Sequence, residues 1–131
     1  MKNNMLVRWL PAVAWMVMIF LVSNTPADEI PQLGVWDLLV KKGAHFLAYA
    51  LLAVLVWRGS KRWQGGWWWA VGITAVYAMT DEYHQTFVPG RHGNVWDVLI
   101  DTAGGLAGLY IRNWWGENRL RRAKRPSPVQ Q

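Results

Sequence analysis

Four apolar runs dominate this sequence, at residues 5–22, 38–57, 67–83 and 95–115. Each approaches the ~20 residues that an α-helix needs to cross about 30 Å of hydrocarbon. The second run reaches that length only if it keeps Lys41, Lys42 and His45, and the fourth only if it keeps Asp97 and Asp101. A soluble four-helix bundle is the alternative. It requires a polar face of regular helical period on each run, and stretches such as 15–20 have none. The expected fold class is therefore all-α: a polytopic membrane protein built as a four-transmembrane-helix bundle.

Charge sets the expected orientation. Lys2 and Arg8 precede or open the first run, and Arg58, Lys61 and Arg62 lie between the second and third. Arg112, Arg119, Arg121, Arg122, Lys124 and Arg125 close or follow the fourth. If the runs alternate direction, these 11 residues of the chain's 14 Lys and Arg fall on one side. The positive-inside rule makes that side cytoplasmic, with both termini on it. Asp28, Glu29, Asp37, Asp81, Glu82, Asp97 and Asp101, seven of the eight acidic residues, fall on the other side with His45, His84 and His92. Tryptophan, enriched where helices meet the interface, agrees in part. Trp9, Trp57, Trp67–Trp69, Trp114 and Trp115 form an inner belt, and Trp36 and Trp96 an outer one.

Residues 1–116 read as one transmembrane domain and 117–131 as a basic cytoplasmic tail, a frayed helix end followed by disorder near anionic headgroups. A net charge of +6 in a soluble chain would suggest nucleic acid, but 53% apolar content and 11 tryptophans point to lipid instead. No nucleic-acid partner is expected. The first run resembles a signal peptide, but SNTPADE follows it without a small-x-small cleavage pattern, which favours an uncleaved span. The 23–37 loop, with Pro26, Pro31 and Gly34, is expected to be irregular.

Polar residues inside such runs are costly and usually functional, and here they cluster. They stand at the ends of runs one and three and the starts of runs two and four. Lys42, His45 and Tyr49 share one helical face, and Asp81 with Gln85 and Asp97 with Asp101 are i, i+4 pairs. His45 and Asp101 would lie roughly 10 Å inside their spans at 1.5 Å per residue. With Glu82 and Arg91 these residues make a candidate ligand pocket: Lys42, His45, Tyr49, Asp81, Glu82, Gln85, Arg91, Asp97 and Asp101. For acid–base chemistry the candidates are His45, Asp81 and Glu82.

Simpler roles compete for several positions. Lys41 reads as a cation reaching for headgroups, His92 as an exposed loop residue, and His84 as a stacking residue. Arg91 and Asp97 read equally as a structural pair. Gly104, Gly105 and Gly108 read as a close helix-packing face. Imidazole and carboxylates together could collect a divalent ion, but no HxH or HExxH spacing is present and Lys42 and Arg91 would compete, so no metal or other cofactor is expected. Cysteine is absent and Ser23 is the lone serine near the outer end, which disfavours nucleophilic catalysis.

The pattern Lys42-x-x-His45-Phe46-x-x-Tyr49, then Asp81-Glu82-x-x-Gln85-x-Phe87-x-Pro89-Gly90-Arg91, then Asp97 and the glycines, resembles the VanZ-like family over roughly residues 23–108. These are small bacterial membrane proteins named for a teicoplanin-resistance protein. The resemblance implies a multi-pass protein of the bacterial cytoplasmic membrane and, for some members, lowered sensitivity to glycopeptide antibiotics. It supplies no reaction. Members commonly carry Asn where this chain has Asp101, which adds a negative charge here.

Three functions follow. The first is binding or handling of an anionic envelope lipid or cell-wall precursor, with Lys42 and Arg91 holding a phosphate or carboxylate. The second is a membrane hydrolase or transferase acting on a lipid-linked phosphate, with His45 and a carboxylate as acid–base pair. The third is a non-catalytic partner subunit packed through the Gly104 face.

Overall fold

In the computed structural model, which describes residues 4–124, the chain is all-helical, and the described residues include no strand. Helix α1 is Met5–Ser23, α2 Asp37–Ser60, α3 Gly66–Gln85 and α4 Val95–Ala123. Short 3-10 turns, Ala27–Glu29 and Gly34–Trp36, shape the otherwise irregular loop between α1 and α2. Helix α4 runs on past Trp115 without a break to Ala123, so Arg119, Arg121 and Arg122 are helical. Lys2, Arg125 and the rest of the expected tail lie outside the described residues.

Cross-contacts establish the directions. Arg8, near the start of α1, donates to the Gly59 carbonyl near the end of α2. Trp15 Nε1 donates to the Ala48 carbonyl at 2.9 Å, so α1 and α2 are antiparallel. Lys42 meets Asp97, and Arg112 covers the Trp57 ring at 3.3 Å, so α2 and α4 run parallel. Tyr77 of α3 donates to the Met16 carbonyl of α1 at 2.5 Å. The helices therefore alternate up and down. The ends of α1 and α3 meet the starts of α2 and α4 at one pole. Helix α2 packs against all three others.

Glycine makes the central contact possible. A Cβ on Gly104 would collide with the Phe46 backbone carbonyl, and one on Gly108 with that of Ala50. The two glycines of α4 thus ride directly on two successive turns of α2. A Cβ on Gly105 would sit 3.1 Å from Thr74 Cγ2 of α3. The interior is built from Ala12, Tyr49, Leu52, Ala53, Val56, Ala70, Ala78 and Leu109.

Large apolar side chains face outward instead. Leu6, Val13, Val17, Leu39, Leu47, Val76, Leu106 and Trp114 are all exposed. Among the described residues, two helical stretches are long and apolar enough to cross a membrane, Met5–Ser23 and Gly34–Ser60, and only 11% and 22% of their apolar 18-residue windows is buried. A water-soluble core helix would hide that surface. Helices α3 and α4, at 20 and 29 residues, are long enough, but their Gly, Trp and polar residues lower the apolar average. On length and composition the structure thus supports two crossing helices of the four expected.

Candidate functional site

The polar residues converge at the pole where α1 and α3 end and α2 and α4 begin. Tyr49 lies on the buried face of α2, one turn below His45, and its hydroxyl donates to Asp81 Oδ2 on α3 at 3.1 Å. Gln85, one turn further along α3, donates to Asp81 Oδ2 and Glu82 Oε1, each at 3.4 Å. Glu82 Oε2 accepts the Asn94 backbone N–H at 2.9 Å. Asn94 is the N-cap of α4 and its side chain accepts from Trp96 N at 3.0 Å. Glu82 and Asn94 together thus place the first turn of α4, which carries Asp97.

Asp101, one turn deeper, is fully buried. His45 Nδ1 lies 3.3 Å from its Oδ1 and 3.5 Å from its Oδ2. His45 also stacks over Tyr49, ring centroids 6.5 Å apart. One network therefore joins α2, α3 and α4 through His45, Tyr49, Asp81, Glu82, Gln85 and Asp101. The same carboxylates that cost solvation energy on burial are partly compensated by these hydrogen bonds.

Lys42 and Arg91 both reach this pole, but the structural Arg91–Asp97 pair is not formed. Asp97 is ion-paired with Lys42, not with Arg91. Arg91 Nε donates to the Thr25 carbonyl at 3.1 Å, Nη2 to the Val22 carbonyl at 3.3 Å, and Nη1 to Gln85 Oε1 at 3.2 Å. The reason is positional. Val88 to Arg91 form a tight turn closed by Arg91 N and the Val88 carbonyl. Gly90 takes φ 73° there, a conformation that a Cβ would strain. The turn carries the guanidinium toward α1, whose last carbonyls lack helical partners. The Ala27 N–H donates to the Pro89 carbonyl at 3.2 Å, tying the α1–α2 and α3–α4 loops together.

Lys41 pairs with Asp37 at 2.6 Å, an i, i+4 contact on α2. His92 is exposed. His84 packs on Phe20, ring centroids 4.6 Å apart, and bonds Asn24 Oδ1 at 3.2 Å. A cavity of about 600 Å3 lies over the network, lined in part by Lys41, His45, Gln85, Arg91 and His92. A second, about 180 Å3, reaches the same His45 from between α1 and α2, past Trp15, Met18, Ile19 and Val22.

A family model described as VanZ/LLP1 matches residues 8–116. The chain belongs to the VanZ/LLP1 family. No curated protein and no solved structure matches it. The VanZ/LLP1 match runs from the first turn of α1 into α4 and includes every residue of the polar network. Family membership and the two apolar helices together mark a membrane protein.

Sequence reasoning passed over Asn94, although Asn directly before an apolar run is a legible N-cap signal. It also passed over Thr25 and Val22, whose role is played by backbone carbonyls and leaves no side-chain signature.

Proposed function

We propose that this VanZ/LLP1 protein spans the bacterial cytoplasmic membrane four times, with both termini inside, and handles an anionic envelope lipid or lipid-linked cell-wall precursor at the outer pole. The observation that carries this reading is the pair of cavities meeting at His45. The larger has a largely apolar lining with Glu29 at its border, but Lys41, Arg91 and His45 also border it and suit an anionic headgroup. The smaller is mostly apolar and opens between α1 and α2, where a hydrocarbon chain would enter from the bilayer. Arg91 keeps two of its five N–H groups beyond its three contacts, so it retains donors for an oxyanion. The alternation of the helices supports the topology, because it collects Arg8, Arg58 and Arg112 at the pole opposite the carboxylates. A link to teicoplanin tolerance belongs to the same reading.

The experiment is mass spectrometry of lipid copurified with the protein from its native membrane. Enrichment of an anionic or phosphate-linked lipid over the bulk composition is expected. A bulk-like lipid profile counts against the proposal.

A second reading has its own observation. His45 held beside the buried Asp101 is an imidazole oriented by a carboxylate, the arrangement of a general base. It suits a hydrolase or transferase acting on a lipid-linked phosphate. Turnover of such a phosphate by purified protein, lost in Asp101→Asn, separates catalysis from binding.

A further inference from the structure

The most unusual group at this pole is the meeting of His45, Glu82 and Asp101. They come from three different helices, and one donor atom from each lies within 4.8 Å of the others. We propose that these three side chains form a binding site for one divalent first-row metal ion, of the Zn2+ or Mn2+ class.

Three observations lead there. The first is distance. His45 Nδ1 and Asp101 Oδ1 are 3.3 Å apart, long for a charged hydrogen bond but close to the edge of a metal polyhedron. Ligands at about 2.0–2.2 Å in tetrahedral array stand about 3.4 Å from one another. The second is a poorly satisfied atom. Asp101 is 0% exposed, and among the described residues its Oδ1 makes no well-formed hydrogen bond, only the 3.3 Å contact with His45 Nδ1. A buried carboxylate oxygen so weakly held is costly, and a cation satisfies it. The third is charge. Apart from Lys41 and Asp37, which pair with each other, Asp81, Glu82, Asp97 and Asp101 bring four carboxylates to the helix ends here, and Lys42 and Arg91 bring two fixed positive charges. Lys42 is engaged by Asp97, and Arg91 by Gln85 and two carbonyls. A divalent ion supplies the missing two charges where neither cation is engaged.

The donor set narrows the ion. One imidazole with two carboxylates suits Zn2+ or Mn2+ better than Mg2+ or Ca2+, which take all-oxygen shells. Three protein ligands leave a position for a further oxygen, and His45 borders the larger cavity. A phosphate oxygen from a lipid headgroup would fit that position. This last step rests on the lipid reading; the ion itself does not.

The test uses untagged full-length protein in detergent, stripped with chelator and titrated with Zn2+ or Mn2+ by calorimetry. One saturable ion per chain is expected, with nitrogen coupling from imidazole in the pulsed EPR of the Mn2+ form. His45→Ala removes that coupling. Glu82→Gln and Asp101→Asn, which keep side-chain shape, weaken binding by about tenfold or more. Asp37→Asn, outside the trio, leaves affinity unchanged. No saturable binding by the native protein overturns the proposal, however the variants fold. So does binding without nitrogen coupling, or binding that Asp101→Asn does not weaken. Metal binding without any enriched lipid would overturn the lipid reading and leave the metal site standing.

Discussion

Lys42 on α2 is ion-paired with Asp97 on α4, while Arg91, six residues before Asp97, turns away to α1. A cation and an anion close in sequence are thus separated, and two that are 55 positions apart are joined. Both partners are partly exposed, at 32% and 20% of their side-chain surface, so the pair is moderately screened.

A double-mutant cycle measures that choice. Lys42→Ala and Asp97→Ala are expected to show a coupling of about 0.5–3 kcal/mol in unfolding free energy. The Arg91→Ala and Asp97→Ala cycle should show almost none. Larger coupling in the second cycle would mean that Arg91 and Asp97 interact directly after all.

Arg91 acts through the geometry of its fork as well as its charge. Its three hydrogen bonds converge on the end of α1 and on Gln85. Lys at this position preserves the charge and loses the planar array. Arg91→Lys and Arg91→Ala should therefore destabilise by similar amounts, about 1–3 kcal/mol. Both should raise amide exchange in residues 23–37. Full retention of stability in Arg91→Lys would show that charge alone suffices.

Gly104 and Gly108 are expected to tolerate no methyl group. The obstructing atoms are backbone carbonyls of α2, which cannot rotate aside. Gly104→Ala and Gly108→Ala should each cost about 1–3 kcal/mol through overpacking. Gly72→Ala and Gly116→Ala, where a Cβ meets nothing within 4 Å, serve as neutral controls. Thermal unfolding in detergent compares the four, and equal midpoints would show that the helices do not meet this closely.

The orientation is open to direct labelling, since the chain has no cysteine. Single cysteines replacing Asp28 and His92 should react with an impermeant thiol reagent on intact cells. One replacing Lys61 should react only after the membrane is opened. The reverse pattern would invert the proposed topology.

The number of helices, their alternation and the pole at which polar residues gather were all legible in the sequence. Hydrophobic run length and turn residues set these locally, and each helix closes its own backbone hydrogen bonds. Gly104 and Gly108 were legible as a packing face because their spacing of four keeps them on one side of α4. What periodicity leaves open is how far one helix is rotated and slid against the next. That relation alone decided that Lys42 takes Asp97, that Arg91 caps α1, and that His45, Glu82 and Asp101 meet. Each of these contacts joins different elements, and a shift of one turn, about 5.4 Å, would exchange every partner. The sequence by itself determined which side chains arrive at this pole. Only the close seating of α4 on α2, set by backbone contact at two glycines, decided which of them touch.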